Sequence, residues 1–304
     1  MNDRSLTRTA IHLAALLILS VVSAPLLHAA PAVRFKLAGD DLIVIPVTID
    51  DQGPFYFVLD TGADTTIVDT AFAKKLALPT LQSGNLTTIL GSQVVAASRL
   101  AKLAVGGVQQ DRLLVFQLDL TSLRRIDNRI AGVVGQDFLS HFNYLLDYRA
   151  QSLRFEEGNE IQDEIDGDPV PIEANENRMI LAADAQFRGS AHLRLLLDSG
   201  TNMLVLMGTA SQRLHCSAEQ EGISASYTGA APAHFGQVDL TVASHAFSNL
   251  PVYLATGAPP PSASDGLLPL VLFRAIYVNN SRSFVVVNPR AKKPVRLAKA
   301  AGPQ

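Results

Sequence analysis

The first constraint in this 304-residue sequence is its single cysteine, Cys216. One thiol cannot close an intrachain disulfide, so covalent staples are excluded. Leu214, His215 and Ser217 beside it bring no second thiol, and the thiolates and imidazoles a zinc site needs at defined spacing are missing, so no metal site and no cofactor are expected. His192, His234 and His245 also lack ligand spacing and read as surface or loop residues. Charge is sparse and nearly balanced, with 25 Lys and Arg against 28 Asp and Glu. No basic stripe interleaves with aromatics, so nucleic acid is not an expected partner. Helical periodicity is scarce, and no membrane-length apolar run follows the N-terminal segment. With 48% hydrophobic residues the composition is ordinary for a globular protein, and the length suits one large or two medium domains.

The first thirty residues differ from the rest. Arg4 and Arg8 precede an apolar run over about 10–22, which Ser23, Ala24 and Pro25 interrupt. Leu27-His28-Ala29 offers small-residue cleavage chemistry before Ala30-Pro31. This is a secretory signal pattern over 1–30, too short for a comfortable membrane span. It implies export, to the periplasm or beyond; an uncleaved N-terminal anchor is the alternative. No cysteine follows the run, which excludes a lipoprotein anchor.

Past that point, short β-type runs alternate with turn residues. Leu42-Ile43-Val44-Ile45, Phe55-Tyr56-Phe57-Val58-Leu59, Leu113-Leu114-Val115-Phe116, the run 193–197 and Phe284-Val285-Val286-Val287 are rich in β-branched, aromatic or leucine residues, bounded by Gly, Pro, Asp or Asn. The best helix candidates are 70–76 and 136–142. An internal repeat then emerges. Leu59-Asp60-Thr61-Gly62 matches Leu197-Asp198-Ser199-Gly200, Leu103-Ala104-Val105 matches Leu240-Thr241-Val242, and the run at Leu113 matches Leu250-Pro251-Val252-Tyr253. Gly132-Val133-Val134 matches Gly266-Leu267-Leu268. The offset stays between 134 and 138, which accidental matches would not do. The expected fold is all-β, with two β-barrel-like lobes related by a pseudo-twofold axis and minor short helices. The lobes span 31–157 and 169–296, a linker spans 158–168 and a tail spans 297–304. The acidic stretch 163–168 fails the calcium-loop pattern and reads as a solvated turn.

The chemistry concentrates where the repeat is strongest. Phe57-Val58-Leu59 reads as a buried strand that ends in a carboxylate, a hydroxyl and a glycine: Asp60, Thr61, Gly62. Leu195-Leu196-Leu197 leads in the same way to Asp198, Ser199, Gly200 and Thr201. Ending a buried strand in an ionised carboxylate is costly without compensation, and the glycine lets backbone N–H groups approach it. A pseudo-twofold axis would bring Asp60 and Asp198 together. Like charges at about 3 Å share one proton rather than both ionising.

Asp60-Thr61-Gly62-Ala63-Asp64 resembles the active-site loop of retropepsin-type aspartic proteases, including the retroviral ones, and Asp198-Ser199-Gly200-Thr201 resembles the loop of pepsin-type lobes. Val133-Val134-Gly135 is similar to the hydrophobic-hydrophobic-glycine motif behind that loop, and Phe138-Leu139 and Tyr144-Leu145-Leu146-Asp147-Tyr148 suit the helix and strand that follow it. The resemblance implies the two-lobed aspartic-protease (acid protease) fold. It implies Asp60 and Asp198 as catalytic residues, Thr61 and Ser199 hydrogen-bonded across the lobe interface, and a flap with its tip at Leu90, Gly91 and Ser92, flanked by Thr88 and Val94. It also implies a polypeptide substrate and a monomer.

Three departures stand out. The second hydrophobic-hydrophobic-glycine position reads Leu267-Leu268-Pro269, and proline has no N–H. The flap lacks the tyrosine of pepsin-type lobes. Pro259-Pro260-Pro261 with Ser262 and Ser264 marks an irregular loop. Thr201 is expected to donate its hydroxyl to Asp198, which Ala63 cannot do for Asp60; that would make Asp198 the ionised member. Asp64 and Asp69 read as surface or loop-supporting, Met203 and Met207 as core filler, and Arg124, Arg125 and Arg129 as a solvated turn. The functional expectation is an exported aspartic endopeptidase. The alternatives are a non-catalytic peptide-binding protein of the same fold, which Pro269 favours, and a chain of two half-sites that each pair with another molecule. The difference between Ala63 and Thr201 argues against the last.

Overall fold

In the computed structural model, the residues described are 32–39, 41–88, 90–156, 158–175, 178–186, 189–214, 220–226, 229–255 and 264–292. The signal-like segment, Cys216, the Pro259-Pro260-Pro261 loop and the tail 297–304 lie outside them. The chain is mostly strand. Each lobe is an eight-stranded sheet, and the two sheets share one strand order. In the first, the strands run Lys36–Ala38, Leu42–Ile49, Gln52–Leu59, Ile130–Val134, Ile67–Asp69, Val108–Leu118, Gly91–Val105 and Gln82–Thr88. In the second they run Glu173–Asn175, Arg178–Gln186, Ser190–Asp198, Gly266–Pro269, Leu204–Met207, His245–Ala255, Gly229–Val242 and Gln220–Ser226. Both close into barrels by an equivalent extra pairing, Ile49 with Leu103 and Ala185 with Leu240. The repeat is therefore a repeat of topology. Ile67 pairs with Val133 just as Val205 pairs with Leu267.

The strand before each key aspartate is buried on both faces, as its unbroken apolar run requires. Phe57 and Leu59 join the central core, while Val58 joins a second cluster on the opposite face. Leu195 and Leu197 likewise face the central core, and Leu196 faces the other way. Strand side chains alternate with a period of two, so Asp60 shares a face with Val58, and Asp198 with Leu196. That face opens onto the space between the lobes. The central core includes residues of both lobes. Beneath it lies a six-stranded antiparallel sheet to which each lobe gives three strands; Tyr144–Asp147 pairs with Ala275–Asn279 at the pseudo-twofold.

Several expectations change on folding. The acidic stretch 163–168 is mostly exposed, but the linker 158–168 is ordered rather than irregular. It holds a short helix, Glu160–Glu164, and a strand, Ile165–Asp166, that pairs with Arg290–Ala291. Ile161 is buried against Tyr277 and Val286, which gives the segment its reason to order. The second helix spans only Gln136–Leu139, shorter than its periodicity suggests. The first, Thr70–Lys75, is capped by Asp69, whose carboxylate accepts the N–H groups of Ala71 and Phe72 at 3.1 Å. Asp69 is buried and also pairs with Arg124, while Arg129 pairs with Asp127 and lies over the Tyr56 ring. Arg124 therefore anchors the loop, while Arg125 and Arg129 are exposed, as a solvated turn would have them.

Candidate active site

Asp60 and Asp198 end equivalent strands and are both buried, at 4% and 6% exposure. They meet across the pseudo-twofold, close enough to share a hydrogen bond. Each packs against the glycine of the opposite loop. A Cβ added to Gly200 would lie 2.7 Å from Asp60's carboxylate oxygens, and one added to Gly62 would press on Asp198 in the same way. No residue with a side chain fits at either position while the carboxylates stay where they are.

The loops are tied together by four hydrogen bonds. Thr61's hydroxyl donates to Leu197 O (2.9 Å) and accepts from Ser199 N–H (3.0 Å). Ser199's hydroxyl donates to Leu59 O (2.8 Å) and accepts from Thr61 N–H (3.0 Å). Both side chains are sealed from solvent, so none of these groups has water as a substitute partner.

Within the pair, Asp60 Oδ1 accepts the N–H groups of Gly62 (2.9 Å) and Ala63 (3.2 Å), and Asp198 Oδ1 accepts that of Gly200 (2.7 Å). Burial raises both carboxyls above their ordinary range, and the charge on Asp60 raises Asp198 further. The Thr201 hydroxyl does not reach Asp198 but donates to Met203 O (3.2 Å), and Thr201 acts on Asp198 through its backbone N–H instead. Hydrogen bonds to an ionised carboxylate favour ionisation. Burial, together with the charge on Asp60, raises Asp198 the more strongly of the two, the opposite order to the sequence-based expectation, with two titration steps that belong to the pair.

Pro269 has a local explanation. In the first lobe, Gly135 N–H donates to the Thr66 hydroxyl (3.2 Å). In the second, the strand register puts Leu204 where Thr66 stands and Pro269 where Gly135 stands. Leucine offers no acceptor, so proline's missing N–H leaves nothing unsatisfied. Gly132 and Gly266, in contrast, are retained because each passes over a carbonyl of the neighbouring strand, Ile67 O and Val205 O.

The carboxylates open into a cleft of about 580 Å³ between the lobes. The flap is a hairpin of Gln82–Thr88 and Gly91–Val105, and Asn85, Leu86, Thr87 and Thr88 line the cleft. Its tip falls earlier than expected. Gly91 already pairs with Thr88, and Ser92 with Thr87, so only Leu90 of the three tip candidates belongs to the turn. The strand that faces the dyad is the incoming one.

Residues 45–138 match the family model for aspartyl proteases. The match takes in the Asp60 loop, the flap and Gly135, and it supports an aspartic protease assignment for the chain. No curated protein matches. The all-β, two-lobed architecture agrees with that assignment.

Several residues of this site gave no chemical signal in the sequence. Gln136 donates from Nε2 to Thr61 O (3.0 Å) and so supports the first loop from behind. Asp137 accepts Thr66's N–H (2.9 Å) and hydroxyl (2.6 Å), and burial pushes its carboxyl up to about 6. Arg178, from the second lobe, makes a two-pronged ion pair with Asp64 of the first loop. Asn202, four residues after Asp198 as Asp64 is after Asp60, donates to Asp41 of the first lobe (2.8 Å). Aligning the two repeats would have flagged 64 and 202 as equivalents; their cross-lobe partners had no motif to mark them. Among the described residues, no group of three or more His, Cys, Asp or Glu is placed to hold a metal, and no helix is long and apolar enough to cross a membrane.

Proposed function

We propose that this chain is an exported aspartic endopeptidase in which Asp60 and Asp198 activate a water for attack on a peptide carbonyl. The observation that carries the reading is the pair of buried carboxylates that meet across the pseudo-twofold, at the floor of an open cleft under a hairpin flap. In the resting pair Asp60 is ionised and Asp198 holds the proton. Asp60 takes a proton from water as its oxygen adds to the carbonyl carbon of an extended substrate. Asp198 donates its proton to the developing oxyanion; as the C–N bond breaks, the proton held by Asp60 passes to the leaving nitrogen, and a hydroxyl of the tetrahedral intermediate returns a proton to Asp198 as the carbonyl reforms. Neither a covalent intermediate nor a cofactor takes part in these steps. The N-terminal signal pattern supports export.

The non-catalytic alternative drew on Pro269, and that support weakens because Leu204 removes the need for a glycine N–H there. The test is cleavage of an unfolded protein between about pH 3 and 7 by the wild type and by Asp60→Asn. Cleavage by the wild type that the variant loses is the expected result; equal cleavage by both would remove the enzyme reading.

A further inference from the structure

The two ends of the cleft are built from equivalent positions but carry different charge. At one end Asp64 of the first loop is neutralised by Arg178 of the second lobe. At the other, Asn202 of the second loop meets Asp41 of the first lobe, and the amide at 2.8 Å brings no charge. All four residues line the cleft, and Asp41 is half-buried there. Among the described residues, the other ionisable ones that line it are the two members of the dyad. Among the described residues, the carboxylates of the cleft that no cation neutralises are therefore of two kinds, the dyad and Asp41. Only the second is placed to meet a substrate side chain without taking part in the chemistry.

We propose that Asp41 is a specificity-determining residue that selects polypeptides carrying a lysine or arginine at one position, on one side of the scissile bond. The inference rests on the endopeptidase reading of the same cleft. An extended peptide places successive side chains about 3.3 Å apart on alternating sides, so a single substrate position falls beside Asp41 and Asn202. A cationic side chain there gains attraction and leaves no charge unpaired; an acidic one meets a like charge in a partly desolvated setting. At the opposite end the Asp64–Arg178 pair satisfies itself and gives no such preference.

The experiment uses peptides in which lysine, norleucine or glutamate replaces the residue at each of three positions on either side of the cleaved bond. With the wild type, kcat/KM for lysine over glutamate should rise about three- to thirtyfold at one position, and the ratio should shrink as salt is raised. Asp41→Asn should reduce that ratio about three- to tenfold at the same position and not at the others, and Asp41→Lys should invert it. The same peptides titrated onto Asp60→Asn, with and without Asp41→Asn, read the preference by fluorescence anisotropy without turnover. A lysine preference that survives Asp41→Asn, or no charge preference at any position, overturns the proposal and leaves the peptidase reading intact. An Asp41-dependent binding preference in a wild type that cleaves nothing supports the proposal and removes the catalytic reading instead.

Discussion

Thr61→Val is the sharpest single perturbation of the interlobe joint. Valine keeps the shape of threonine, so no cavity forms, but Leu197 O and Ser199 N–H lose their partner. Both belong to a buried seam that water does not reach. An unsatisfied buried backbone group costs about 1–3 kcal/mol, so the pair costs about 2–6 kcal/mol, a large share of the roughly 5–15 kcal/mol of a whole folded domain. Thr61→Ser keeps both bonds and loses one methyl, so it should cost no more than about 1 kcal/mol. Urea unfolding at pH 6 measures both, provided the slope is unchanged, so that the midpoint alone reports stability. Activity should fall further in Thr61→Val than in Thr61→Ser, mainly in kcat, because the loops that hold the dyad lose their register. If the valine variant is no less stable than the serine variant, the hydrogen bonds are not what joins the loops and the reasoning fails.

Asp198→Asn should abolish cleavage yet stabilise the fold at pH 7 by about 1 kcal/mol. Both dyad carboxyls are raised in the folded state, so their stabilising contribution is complete at low pH and is lost as the pH climbs through the folded values; the gain should vanish near pH 3, and thermal melts at the two pH values test it. Asp137 ionises at about 6 in the fold against an ordinary 3.8. It should therefore make the protein less stable as pH rises from about 4 to 6, by at most about 3 kcal/mol. Asp137→Asn should flatten that slope in urea titrations, and an unaltered slope would assign the pH dependence elsewhere. Arg124→Leu leaves the Asp69 carboxylate buried without its cation and should cost about 2–4 kcal/mol by denaturant unfolding, whereas Arg125→Leu, at an exposed neighbour, should change little. Gly200→Ala should cost activity by at least tenfold, because the added methyl displaces Asp60's carboxylate; wild-type kinetics in this variant would mean that the dyad has room to move.

How much was legible before folding follows from the kind of interaction involved. The doubled Asp-Thr/Ser-Gly after apolar runs, kept at one offset, was enough to anticipate two like barrels and a meeting of residues 60 and 198, because strand periodicity and burial are written locally. Gly135 could be read against its family motif, but the reason Pro269 is tolerated depends on Leu204, a strand away in the sheet. Thr201 looked like a donor to Asp198 because the two are near in sequence, yet the backbone of the loop turns its hydroxyl to Met203 O. Local proximity does not set the direction of a side chain in a loop.

The sequence alone determined the repeat, the strands, the identity of the two carboxylates and the hydroxyls beside them, since each follows from residue type and spacing. Only the tertiary structure decided where the Thr201 hydroxyl points, which strand of the flap lines the cleft, and that one end of the cleft is neutralised by Arg178 while the other exposes Asp41. Those outcomes turn on electrostatics and desolvation between segments more than a hundred residues apart. Such pairings have no signature along the chain, because only the closing of the two barrels over one core brings the partners within reach.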